Sequence, residues 1–236
     1  MVHQYTFGVM SSSNEFIVYL EPTHSSDLWK SVNEFVHSTA IQFYPTTASR
    51  YNCHASMTGF FKIDSQDASS TIRDLSIILE STVQSYFKKG ALQVGKKSIL
   101  VKNLDKEHPK QIKAYLLLPV TVLSLYHQGT QSFADRCKTV FGIQVRPKPI
   151  NHISLAYWDE PDALPQQTEE WNRLIMEDKL LERMEKTANE MFEKVSNPDS
   201  WDIVLYERVV KGHAIGEMHK FVECRRCKVA NEIVEL

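Results

Sequence analysis

The sequence predicts an α+β fold whose two halves share one compact body. Three observations predict it. Strand-like runs alternate with amphipathic helical runs along the whole chain of 236 residues. Neither G-x-G-x-x-G nor a Walker loop follows a strand, which argues against a parallel nucleotide-binding sheet. Two strand-like segments, "CHASMTGFF" (Cys53–Phe61) and "NHISLAYW" (Asn151–Trp158), carry the same polar pattern, with their histidines 98 residues apart. Each is followed by a connection and a helix, which reads as a degenerate internal duplication.

The elements follow in order. "EFIVYLEP" (Glu15–Pro22) is a strand closed by proline. "THSSD" supplies caps for a helix whose apolar face is Leu28, Val32, Phe35 and Val36. "YNCHASMTGFFKI" reads as one strand. The next helix carries Ile72, Leu75, Leu79, Val83 and Phe87 on one face and stops at Lys-Lys-Gly. "SILVKNL" and "QIKAYLLLPV" are strands joined by the polar turn "DKEHPK". A helix spans about Val122 to Val140, with Gly129 an unfavourable residue inside it. "VRPKPI" is an extended lead into the second motif strand. "LPQQTEEWNRLIMEDKLLERMEKTANEMFEKV" reads as one long amphipathic helix with proline near its start and Trp171, Leu174, Ile175 and Leu181 on its stripe. "WDIVLYERVV" and "MHKFVECRRCKV" close the chain as strands.

Composition excludes several classes. Hydrophobic residues make up 42% and charged residues 24%, ordinary for a globular protein. The formal charge of −2 does not suit a protein that coats duplex DNA through phosphate contacts, so a nucleotide or a strand end is the expected nucleic-acid partner. No apolar run approaches the ~18 residues of a membrane span. The start lacks a charged, then apolar, leader, so a cytosolic or nuclear monomer with no membrane partner is expected. The four cysteines, Cys53, Cys137, Cys224 and Cys227, form no secreted disulfide framework. "CRRC" has no matching second pair and reads as two free thiols rather than half a zinc site.

Four histidines, His24, His37, His54 and His152, have Ser or Thr two places on, so H-x-[ST] alone says little. Context separates them. His24 sits among helix caps and His37 near a helix C-terminus, where each has a local role. His54 and His152 open strands. On an ideal strand His54, Ser56, Thr58 and Phe60 share one face. By the same rule His152, Ser154, Ala156 and Trp158 share a face, and Ile153, Leu155 and Tyr157 lie opposite. Each copy offers an imidazole, a hydroxyl and, six places after the histidine, an aromatic ring.

With "HASM" and "HISL" each on a strand, the chain resembles the two-histidine (2H) phosphoesterase superfamily, and the element order agrees over nearly its whole length. Serine stands in both motifs where threonine is commoner. The resemblance implies a single bilobal α+β domain over residues 1–236, with antiparallel sheets in two lobes around a central cleft and a pseudo-twofold axis. It also implies metal-free, cofactor-free chemistry on a phosphodiester, often the 2′,3′-cyclic phosphate of a nucleotide or RNA end. His54 and His152 would divide general acid and general base work. Ser56 and Ser154 would donate to the phosphate oxygens as charge builds there. An RNA 3′-end exonuclease, a 2′–5′ oligoadenylate phosphodiesterase and a non-catalytic nucleotide-binding module are alternatives on the same fold.

Further residues near the motifs are candidates for substrate contact. Phe60 and Trp158 could stack on a base or ribose, although aromatic residues on strands more often pack in a core. Arg50, Tyr51, Arg146 and Lys148 precede the motifs and could steer a phosphate, although a solvated charge is the ordinary fate of such residues. Eight lysines against two acids between Lys88 and Lys113 could guide RNA or simply form a solvated face.

Overall fold

The computed structural model describes residues 15–63, 68–87, 92–104 and 112–230. The turn "DKEHPK" and the Lys-Lys-Gly helix stop lie outside them. The architecture is α+β, with two antiparallel sheets.

The first sheet is built around β1 (Glu15–Pro22), whose central residues are all buried. One edge of β1 pairs along its length with β8 (Ser200–Val210), from Glu15 opposite Arg208 to Pro22 opposite Trp201, and β8 in turn pairs with β9 (Lys220–Ala230). The other edge of β1 carries two short strands, β2 (Ala55–Ser56) and β3 (Phe61–Lys62). The second sheet repeats this plan around β6 (Ile112–Thr121). β4 (Gln93–Val94) and β5 (Ile99–Leu104) follow one another along one edge of it, and β7 (His152–Tyr157) pairs with the other. Each histidine motif therefore lies on the strand flanking its sheet's central strand.

The helices cover these sheets with their apolar stripes. α1 (Asp27–Gln42) is capped by Ser26, whose Oγ accepts from the Trp29 N–H at 3.2 Å, and buries the Leu28, Val32, Phe35 and Val36 face. α2 (Ala68–Tyr86) packs against α3 (Ser124–Phe141) and reaches β8 and β9. Gly129, unfavourable by propensity, is explained by this crossing: a Cβ there would lie 2.4 Å from the Phe87 ring. α3 stops at Gly142, which holds a left-handed φ of 70°. Among the described residues no helix is long and apolar enough to cross a membrane.

The structure divides two elements that read as continuous in the sequence. The long helix is two, α4 (Pro165–Met176) and α5 (Leu180–Phe192), separated at Lys179, whose φ of 50° is left-handed. The apolar stripe explains the break. It runs through Trp171 and Ile175, but its continuation falls on Asp178, Lys179 and Glu182, and a new stripe begins at Leu180 and Leu181. The strand over "YNCHASMTGFFKI" is also split. Ser56 faces Tyr19 and Phe61 faces Phe16, so five steps on one strand match three on the other. The two extra residues form a bulge in which the N–H groups of Met57 and Thr58 both donate to Val18 O, at 3.0 and 3.4 Å. The Val18 N–H is left without a backbone partner and donates to Oγ1 of Thr58 at 3.0 Å. Thr58 is fully buried by this role and does not share the histidine face.

Replacing Thr58 with the isosteric valine removes that acceptor and strands a buried N–H. We expect Thr58→Val to cost about 1–3 kcal/mol. Thermal denaturation should show this as a fall of a few degrees for each kcal/mol. An unchanged melting temperature would show that the bulge does not need the hydroxyl.

Candidate active site

The two motif strands belong to different sheets and are brought together by the lead segment before β7. Gly59 N–H donates to Arg146 O at 2.8 Å, Lys148 N–H donates to Met57 O at 2.8 Å, and Thr58 bridges Pro147 in antiparallel sense. Antiparallel pairing keeps the sum of paired residue numbers constant, here at 205. Extended backwards, that register sets His54 opposite Asn151, one residue from His152. β2 and β7 stay in contact, and the space beside them is a cavity of about 460 Å³. His54, Ser56, His152 and Ser154 all line it.

Both imidazoles are held in the same manner. Nδ1 of His54 lies 2.7 Å from the Asn52 carbonyl oxygen, which can only accept, so Nδ1 carries the proton. Nδ1 of His152 lies 2.6 Å from Oδ1 of Asn151. Nε2 is then the nitrogen left for proton transfer in each ring, and neither Nε2 has a partner among the described residues. Tyr19 packs on His54 at 3.9 Å between ring centroids, and Tyr51 meets its edge at 5.5 Å. This burial pushes the His54 pKa down to about 4. Its bond to Asn52 works the other way, and the charges of Lys148 and His152 add to the fall. His152 is also lowered, by burial and then by Lys148. The hydroxyls of Ser56 and Ser154 have no hydrogen-bond partner among the described residues.

The second motif strand departs from ideal alternation. Leu117 faces Ser154 but Leu116 faces Ala156, so Leu155 is an extra residue and the strand bulges. Beyond the bulge the faces exchange. Ala156 is buried in the core, whereas Tyr157, expected on the far face, lines the cavity with His152 and Ser154.

The remaining sequence candidates divide. Tyr51, Phe60, Lys148 and Trp158 line the cavity. Phe60 also lies under the Arg208 guanidinium at 4.1 Å, and Trp158 stacks on Trp171 at 5.2 Å. Lys148 is half-buried, and its pKa is lowered by burial and by Arg146. Arg146 is exposed and lies outside the cavity lining, with its guanidinium over Gly59. Arg50 does not reach the cavity. It is buried at 6% exposure and forms a two-pronged ion pair with Glu160, while its Nη1 donates to Gly212 O at 2.8 Å. A guanidinium saturated in this way has a structural task and is not available to a phosphate. Lys113, the last of the lysine-rich run, lines the cavity, whereas Lys102 pairs with Glu182 at 2.5 Å and takes no part in it.

Sequence reasoning passed over Asn52, Asn151, Tyr19, Tyr115 and Tyr157. The asparagines carried a readable signal, since each motif histidine has one within two residues before it. The tyrosines carried none, because they reach the cavity through pairing register and a bulge. Among the described residues no three His, Cys, Asp or Glu side chains are grouped to hold a metal ion. Cys224 and Cys227 are free thiols on β9.

No protein-family model matches the chain, and no curated protein matches it. Among solved structures it is similar to Usb1 of Kluyveromyces marxianus, with 12% identity over 91% of this chain and 99% of that one, at a TM-score of 0.42.

The lowered histidines make a stability prediction. Once unfolded, a histidine takes a proton at its ordinary pKa of 6.5. In the fold His54 resists protonation down to about 4, as does His219, where burial and then Arg208 and Arg50 act. The two histidines bind more protons unfolded in this window. Glu21, raised to about 7 by burial, binds one more in the fold and offsets part of this, so stability should still fall as pH drops from about 6.5 to about 4. NMR titration should place His54 near 4 and His152 below 6.5, with melting temperature falling over the same interval. A His54 midpoint at or above 6.5 would remove the burial argument.

Proposed function

We propose that this protein is a metal-independent phosphodiesterase of the 2H type, acting on a phosphodiester of a nucleotide or RNA end, such as a 2′,3′-cyclic phosphate. The observation that carries the reading is the meeting of both H-x-S motifs in one cavity, with each imidazole held at Nδ1. His54 is the base. It is neutral above about pH 4, and its Nε2 is an acceptor because Nδ1 holds the proton. It takes a proton from water as the water oxygen bonds to phosphorus. His152 is the acid and gives its proton to the leaving oxygen as the P–O bond breaks, leaving a phosphomonoester and an alcohol. The two hydroxyls donate to the non-bridging oxygens, and the Lys148 ammonium faces the same charge. The bound phosphodiester is an anion and favours the imidazolium of His152, so binding itself arms the acid. These donors supply the charge neutralisation that a divalent ion would otherwise provide.

The test is turnover of cyclic mononucleotides and of 2′–5′ and 3′–5′ oligomers, with the product phosphate located by NMR. His54→Ala and His152→Ala should each lower turnover by roughly two to four orders of magnitude. Ser56→Ala and Ser154→Ala should each cost roughly 10²–10³ if their donation acts as that of an oxyanion hole does, and less where water replaces it. Near-full activity in either histidine variant would strike that residue from the mechanism. Tight nucleotide binding with no turnover of any substrate would favour the binding module.

Activity should persist in excess chelator. As pH rises, kcat/KM should fall through the lowered pKa of free His152, and the corresponding limb of kcat should lie at higher pH because the bound anion holds the proton. Complete loss in EDTA with recovery on added metal would contradict the proposal even if both histidines proved essential.

A further inference from the structure

A second cavity, of about 430 Å³, lies against the first. The two share Tyr19, Tyr51 and His54, so the His54 ring and its tyrosine neighbours border both. Its size is within the ~300–1,000 Å³ of small-molecule sites. Its far side comes from the β8–β9 hairpin, as Tyr206, His219, Lys220 and Phe221. Phe221 is the hub of this wall, with ring centroids 5.8 Å from Tyr206, 6.2 Å from Tyr51 and 6.4 Å from Phe60, and it is only partly buried.

Polar groups also border this cavity. Glu21 is buried, its side chain 4% exposed. Its Oε2 serves the Tyr206 hydroxyl at 3.1 Å and also Arg226 and His24, whereas Oε1 has no partner among the described residues. Glu21 borders the cavity, so this oxygen is left to accept from a ligand. The side-chain amide of Asn52 also borders the cavity without a partner among the described residues. Lys220 is exposed at the margin.

Aromatic walls, a carboxyl oxygen left to accept, an amide and a marginal cation suit a nucleobase attached to a phosphate backbone. We infer that the cavity behind His54 binds a second nucleoside, so that the substrate is an oligonucleotide end of at least two nucleosides rather than a free mononucleotide. The inference rests on the phosphodiesterase reading for what occupies the first cavity, and it deepens that reading by naming the substrate class. The base lies against Phe221 and Tyr51, with its polar edge at Glu21 and Asn52.

Equilibrium binding to the full chain tests it, with a 3′-mononucleotide and the corresponding 3′-phosphorylated dinucleotide as probes, alongside turnover of a 2′,3′-cyclic mononucleotide. The dinucleotide should bind about ten- to a hundredfold more tightly, the range that one stacked base supplies. Phe221→Leu keeps the packing but removes the stacking face, and it should bring the ratio close to one with mononucleotide affinity unchanged. Lys220→Gln should weaken the dinucleotide alone, and less so at high salt. Equal binding of both probes with active turnover of the cyclic substrate would overturn the second subsite and leave the phosphodiesterase standing. A dinucleotide preference lost in Phe221→Leu, without turnover of any phosphodiester, would uphold the subsite and overturn the chemistry.

Discussion

The site depends on one short stretch of backbone pairing, in which Met57, Thr58 and Gly59 are held against Arg146, Pro147 and Lys148. β2 hydrogen-bonds within the first sheet and β7 within the second, and nothing in either sheet's own ladder sets one motif opposite the other. The clamp does so, and its register brings both histidines to nearly the same level. β2 and β7 stay in contact beyond the clamp, and the cavity lies beside them. The clamp uses main-chain groups, so it places few demands on the side chains there. One demand is at Gly59, where an added Cβ would come within 3.2 Å of the Arg146 guanidinium.

Burial then sets the electrostatics. Burial among the cavity walls lowers the pKa of both histidines and of Lys148, so each gives up its proton more readily than it would in water. A cavity that disfavours its own positive charges is one that an anion would complete. An anion there would favour the protonated forms of the imidazoles and of the lysine together. Binding and acid–base readiness are therefore coupled, and a neutral ligand of the same shape would gain neither.

Much of this was legible in the sequence, and the rest was hidden for identifiable reasons. Helices were legible where one apolar stripe kept its phase, as in α1. The stripe through α4 loses phase at Asp178, a change that can be seen in the sequence but that helix propensity obscures, since Glu, Asp and Lys do not by themselves stop a helix. The histidine and serine positions were legible because a two-residue period brings them to one face. That same rule failed beyond Ser56 and Ser154, where bulges at Met57–Thr58 and Leu155 reset the faces. Thr58 thereby became a backbone acceptor, and Tyr157 took the place in the cavity that alternation gave to Ala156. Bulges are set by partner strands far away in sequence, so no local period announces them.

Arg50 was misread for a related reason. Next to Tyr51 and the first motif, a cation reads as a phosphate ligand, but its partner Glu160 is 110 residues away. The structure gives it a different task. Its guanidinium joins the turn at Thr47–Arg50 to the segment after β7 through Glu160, and to the β8–β9 connection through Gly212 O. Thr47 strengthens the first join, donating to Glu160 at 2.9 Å while accepting from the Asp159 N–H at 2.8 Å. His219 strengthens the second, its N–H donating to Arg50 O at 3.1 Å and its Nδ1 accepting from Gly212 at 2.9 Å. Asp159 borders the histidine cavity and His219 borders the cavity behind His54. One buried guanidinium thus ties the rims of both cavities to the residue before Tyr51, the ring that separates them. A loop-borne rim is ordinarily the most mobile part of a site. Here it is pinned from within, so the spacing between the two cavities is a fixed property of the fold and not one that a ligand must impose.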